Sequence, residues 1–139
     1  MAIEALSKII ERIEAAKTVD EQTALLLKHS STSLKNIVGF GMNPNTKWLL
    51  PEGAPPFKPA AKASDYEGGL YKECRKFIYF VASQEGLQVK QLKREQLFIQ
   101  MLENIDPDDA LLVLRVKDKK LKINPEAVKK AFPKLTIGW

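Results

Sequence analysis

Apolar residues recur at helical spacing along most of this chain. Within residues 3–16, Ile3, Leu6, Ile9, Ile10 and Ile13 fall on one face with Glu and Lys opposite, the stripe of an amphipathic helix. Thr18-Val-Asp-Glu21 then matches a capping box, in which the Thr hydroxyl and the Glu carboxylate each take a free backbone N–H. A second helix is predicted to run to about His29, with Ala24, Leu25, Leu27 and Lys28 in its body. Ser31-Thr-Ser33 offers another cap. A short third helix carries Leu34, Ile37, Val38 and Phe40 and is predicted to end at Gly39 and Gly41.

Residues 42–64 break the pattern. They hold five of the eight prolines (44, 51, 55, 56 and 59), and no helical period survives among them. Large apolar groups, Trp48, Leu49, Leu50 and Phe57, stand between the Pro and Gly punctuation. A flexible linker would not carry them, so the segment reads as an ordered loop pinned on the core. Ser64-Asp-Tyr-Glu67 matches a second capping box. The helix after it places Leu70, Cys74, Phe77, Ile78 and Val81 on one stripe and is broken by Gly86.

A helix over about 89–104 carries Leu92, Leu97, Phe98, Met101, Leu102 and Ile105. Asp106-Pro107 and Asn124-Pro125 both read as an N-cap followed by Pro at the first helical position. The helix over 107–117 is apolar nearly all round, through Ala110, Leu111, Leu112, Val113, Leu114 and Val116, and so belongs at the centre. The last helix spans about two turns. With no convincing strand and no internal repeat, the reading is all-α: one domain over 1–139, a compact bundle of about six helices, one ordered Pro-rich loop at 42–64 and a basic helix-turn-helix ending at 106–135.

Charge sharpens the picture at that ending. From Val113 to Lys134 there are eight Lys/Arg against two acids, Asp118 and Glu126. The local excess of +6 is larger than the +5 of the whole chain. Cations packed into helix ends and one turn suit a phosphate backbone. Other chemistry is thin. His29 is the one histidine, read as a helix C-terminal residue facing the dipole, and Cys74, the one cysteine, as a small buried hydrophobe. They leave no His/Cys metal set and no disulfide. Asp106, Asp108 and Asp109 read as capping and dipole-complementing residues at a helix N-terminus. No Gly-rich phosphate loop, no cofactor motif and no catalytic constellation is found, so no enzyme is expected. No apolar run nears the roughly 18 residues of a membrane span, and Met1–Lys8 lacks the charged and apolar regions of a signal peptide. A reducing cytoplasm is the expected setting.

In their order, these segments resemble the all-helical N-terminal DNA-binding domain of ATP-dependent DNA ligases, especially the phage type. The resemblance rests on Ile9-Ile-Glu-Arg-Ile-Glu-Ala-Ala-Lys17-Thr18, Ala24-Leu-Leu-Leu-Lys28, Leu34-Lys35 and Phe40-Gly-Met-Asn43-Pro44. It continues through Leu111-Leu-Val-Leu-Arg115, Lys117-Asp118-Lys-Lys-Leu121 and Lys129-Lys130-Ala-Phe132-Pro133-Lys-Leu135. Two positions depart from that family. Leu121-Lys-Ile stands where an Arg-Cys-Gly step is usual, and Lys129 replaces an Asn. The Pro-rich segment is similar instead to one in small proteins of marine T-even-like phages, which end in a similar Lys-Asp-Lys…Phe-Pro stretch. The chain stops where a ligase nucleotidyltransferase would begin, and no Lys-x-Asp-Gly adenylation motif is present. The resemblance therefore implies a freestanding recognition domain in the cytoplasm of an infected bacterial host or associated with the virion.

Two functions are expected from this reading. In the first, a non-catalytic accessory protein binds duplex or nicked DNA, with Lys117, Lys119, Lys120 and Lys122 on phosphates and Arg115, Lys129, Lys130 and Lys134 flanking them. Nothing suggests base readout, and engaging six phosphates would give a salt slope of about −5. In the second, the fold serves protein interaction with a phage or host replication protein or within the virion. Its surface is the Trp48–Phe57 loop (Trp48, Leu49, Leu50, Phe57) together with Trp139, unless those groups simply pack on the core.

Overall fold

The structure is a computed structural model that describes residues 4–58 and 69–139. Seven α-helices and no sheet are found there: α1 (Leu6–Ala15), α2 (Val19–Lys28), α3 (Thr32–Met42), α4 (Gly69–Glu73), α5 (Gln91–Glu103), α6 (Pro107–Lys117) and α7 (Pro125–Ala131). The fold is all-α. The capping box at 64–67 and Ile3 lie outside the described residues.

α1 buries Leu6, Ile9, Ile10 and Ile13, as its stripe requires. α2 buries less, chiefly Gln22 and Leu26. The Thr18 hydroxyl accepts from Glu21 N–H at 3.1 Å, while the reciprocal bond from Thr18 N–H to the Glu21 carboxylate is not formed among the described residues. α6 sits centrally, with Ala110, Leu112, Val113, Leu114 and Val116 buried. Leu111 nonetheless stands 59% exposed, so the helix is open on one side. Both cap-plus-Pro starts form as expected: Asp106 caps Asp108 N–H and Asn124 caps Glu126 N–H, each at 2.9 Å.

Three boundaries differ from the sequence reading. α3 runs through Gly39 and Gly41 and ends only at Asn43, before Pro44. A Cβ on Gly41 would lie 2.8 Å from Leu121 Cδ1 and 3.3 Å from Val116 Cγ1, so that glycine lets α3 approach the α6–α7 turn. The helix expected to run on to Gly86 gives way at Cys74 to a 3-10 turn, Cys74–Tyr79. In 3-10 geometry residues i and i+3 eclipse, which aligns Cys74, Phe77 and Phe80, all fully buried. Leu92, expected in the α5 stripe, is 70% exposed, and the buried Arg94 takes its place on the inner face. The Arg94 guanidinium donates to the carbonyls of Gly86 and Val89, each at 2.8 Å, and to Gln91.

The Pro-rich loop is pinned at its start. Trp48 Nε1 donates to Phe40 O at 3.0 Å, and its ring meets Phe77 edge-on at 5.7 Å. A single bridge joins Trp48 to Val81, with Leu49 N–H on Phe80 O and Ala82 N–H on Lys47 O.

Asp109 caps another helix. The N-cap position of α1 is Ala5, whose methyl cannot accept a hydrogen bond. The Asp109 carboxylate, 1% exposed, accepts from Ser7 N–H at 3.0 Å instead, and its second oxygen is buried without a partner. Burial pushes this carboxyl above its ordinary range, with Asp106 and Asp108 adding to the rise and the bonds from Ser7 opposing it. Tyr71, whose hydroxyl donates to Glu4 O at 2.7 Å, is a nearby titratable group on another element. Asp109→Ala is expected to cost about 1 kcal/mol through loss of the cap. The pH response follows from the raised folded pKa. The folded state holds the proton more tightly, so this contribution is complete below the unfolded carboxyl pKa and is lost as pH rises through the folded one. Asp109→Asn keeps the acceptor without the charge. Its stability relative to wild type should therefore rise from pH 3 to pH 7 in urea titrations, and a flat difference would contradict the assignment.

Candidate nucleic-acid interface

The α6–α7 turn carries the cations that sequence groups together, but the structure divides them. Lys117 is not available to a phosphate. Its side chain is 1% exposed, its ammonium pairs with Asp118, and it donates to Pro51 O at 2.8 Å. The Asp118 carboxylate in turn accepts from Gly53 N–H at 3.2 Å. This pair ties the Pro-rich loop to the end of α6, and Lys117 belongs to the scaffold. A lysine at the last position of a largely apolar helix reads as exposed. Only the loop folding back over it reveals otherwise.

Arg115 is also committed. It pairs with Glu14, whose carboxylate accepts from Lys122 N–H at 2.6 Å and so anchors the turn to α1. Lys129 lies 3.8 Å from Glu126 and Lys130 lies 3.5 Å from Asp20; both pairs are exposed and weak. Counting Glu14 and Asp20, brought in by α1 and α2, the local excess falls from +6 to +4.

The rest of the set stays outward. Lys119 takes a left-handed backbone, φ 57°, and reaches Asn43 O; desolvation there lowers its pKa. Lys120, Lys122 and Lys134 are exposed, and their ammonium groups meet no acceptor among the described residues. Two further lysines join them that linear reading missed. Lys17 shares a crevice of about 480 Å³ with Lys122, lined also by Thr18, Gln22 and Asn124. Lys35 stands 5.5 Å over the Phe132 ring, next to the chain segment bearing Lys134. Neither position carries a local signal, because helix packing alone brings α2 and α3 to the C-terminal segment.

The chain belongs to the family of unknown function DUF6433. The family model matches residues 9–123, which includes the loop clamp, α6 and the turn. No curated protein and no solved structure matches the chain.

The residues of the second expected surface are largely inward. Trp48, Leu50, Phe57 and Trp139 are half-buried against the core, and Leu49 is half-buried beside its bond to Phe80. Core packing therefore explains the large groups of the loop. Cys74 is buried, with Sγ 3.5 Å from Tyr71 O, and His29 caps the end of α2 with Nε2 3.4 Å from Arg12. Among the described residues no group of three or more His, Cys, Asp or Glu could hold a metal ion, and no helix is long and apolar enough to cross a membrane.

Proposed function

We propose that this protein is a non-catalytic DNA-binding accessory protein, acting like a freestanding ligase-type recognition domain in the cytoplasm of an infected bacterial host. The observation that supports this is the set of exposed lysines on one turn, Lys119, Lys120 and Lys122, with Lys134 on the segment that follows α7. Lys129, Lys130 and Lys17 flank them through weak or absent pairing. A phosphate that displaces an exposed carboxylate from Lys129 or Lys130 gives up little, because such pairs contribute about 0–1 kcal/mol. Arg115 and Lys117 hold the turn in shape and leave the contact set.

Binding of this kind is backbone-directed, weakly sequence-dependent and salt-sensitive. Four engaged phosphates give a slope of log K against log salt of about −4. The test is fluorescence anisotropy on labelled nicked duplex, intact duplex and single strand at two salt concentrations. The triple variant Lys120→Gln/Lys122→Gln/Lys134→Gln is expected to bind at least tenfold more weakly and to flatten the slope by about 3, roughly one per lysine removed. Its melting temperature should stay unchanged, since all three side chains are exposed. Equal binding by wild type and variant overturns the proposal.

A further inference from the structure

A groove lies on a different part of the molecule, between the Pro-rich loop and the outer face of α5. Its volume is about 400 Å³. Leu92, Glu95 and Ile99, at helical spacing, form one wall; Leu50, Ala54 and Pro56 form the other. Phe98 and the buried Lys117 lie at the base. Leu92 is 70% exposed at the rim, on a helix whose inner face is already satisfied by Arg94, Phe98, Met101 and Leu102. The prolines add a rigid wall with few N–H donors, so the groove offers apolar contact more than backbone pairing.

Charge selects the occupant. The rim carbonyl and ammonium at the base are already used: Lys117 is neutralised by Asp118 and bonded to Pro51 O. Among the described residues that line the groove, those that remain charged are Glu52 on the loop and Glu95 on α5. Among the described residues Glu95 accepts only from Gln91 Nε2, at 3.1 Å, and Glu52 is exposed. An apolar trough with a carboxylate on each bank, in a chain of net charge +5, is complementary to an apolar segment flanked by cations. The helical wall from Leu92 to Ile99 is about 10 Å long, the length of two helical turns or of three extended residues.

We infer that the groove between residues 50–56 and α5 is a docking site for a short peptide segment of a partner protein, with two or three large apolar anchors flanked by Lys or Arg. This moves the interaction surface of the Pro-rich loop from its tryptophan, which is packed inward, to its prolines. It is independent of the DNA proposal, whose exposed lysines 119, 120, 122 and 134 line no part of the groove.

A randomised dodecapeptide library displayed on phage, selected on the immobilised 139-residue chain, supplies the probe. Enriched sequences should combine large apolar residues with Lys or Arg flanks. Synthetic versions should shift the amide resonances of Ala54, Glu95 and Ile99. Leu92→Glu should weaken them at least tenfold, and Glu52→Lys/Glu95→Lys about fivefold, more at low salt. All three positions leave the core untouched, so circular dichroism melts should match wild type, and DNA anisotropy should be unaffected by Leu92→Glu. No enrichment, enriched acidic peptides, or equal binding to the Leu92→Glu variant overturns the inference. So does concentration-dependent self-association that Leu92→Glu abolishes, which assigns the face to a second copy of the chain.

Discussion

Lys117→Met is expected to lower folding stability by about 3 kcal/mol, whereas Lys120→Met and Lys122→Met change it by less than about 0.5 kcal/mol. The four residues from 117 to 120 read as one basic run, but their surroundings differ. The Lys117 side chain is 1% exposed and Asp118 10%. Removing the ammonium leaves Asp118 without its counter-charge and Pro51 O without a donor. Breaking one side of a buried pair costs more than the pair contributes, because the remaining charge still bears its desolvation penalty. The contribution can be isolated by a double-mutant cycle with Asp118→Asn in urea unfolding. A coupling above about 1 kcal/mol is expected for groups in direct contact. Limited proteolysis should also cut residues 50–58 faster in Lys117→Met, since the loop loses its tie to α6. If Lys117→Met unfolds like Lys120→Met, the clamp assignment is wrong. With the clamp assignment, any fall in DNA affinity of Lys117→Met tracks its folded fraction, in contrast to the exposed lysines.

Gly86→Ala is expected to cost about 3 kcal/mol, at the upper end of ordinary overpacking. A Cβ there would lie 1.9 Å from Val81 O, 2.9 Å from Ile78 O and 3.0 Å from Ser83 Oγ. The first two are backbone atoms, so relief requires the 78–86 turn to move. That turn is cross-tied: Gly86 N–H donates to Ser83 Oγ at 2.9 Å and Gly86 O accepts from Arg94 at 2.8 Å. Moving it strips an acceptor from a guanidinium that is 5% exposed. A drop in Tm on the order of 10 °C is expected for a domain of this size. Gly53→Ala is the comparison. Gly53 has φ +86° but nothing within 4 Å of an added Cβ, so only backbone strain of about 1–2 kcal/mol applies. Equal effects at the two glycines would mean that space around Gly86 is not what decides.

The clamp and the glycine show where linear reading stops. Gly86 reads from the sequence as a helix breaker; its requirement comes from two carbonyls, Val81 O and Ile78 O, five and eight residues upstream, which the chain after Cys74 folds onto it. Asp109 reads with Asp106 and Asp108 as a helix-start acid. Asp106 does cap its own helix, while Asp109 caps α1, a residue separation of 102. Leu92 matched an apolar stripe by type, but Arg94 occupies the buried face because its guanidinium closes the 86–91 turn.

Periodicity and caps are local properties, and they were enough to specify the all-α class, the starts of α2, α3, α6 and α7, the inward face of α1 and the anchoring of Trp48. Each follows from spacing within a few turns of chain, where backbone hydrogen bonding and side-chain direction leave few choices. Which lysines of 115–134 are free was not legible, because a charge is silenced by whatever the fold lays against it. Glu14 and Pro51, which take up Arg115 and Lys117, lie 101 and 66 residues away in sequence. The groove beside α5 is likewise a product of packing. Its apolar wall was written into the helix, but its opening exists only because a buried lysine holds a proline-rich strand of chain at a fixed distance from it.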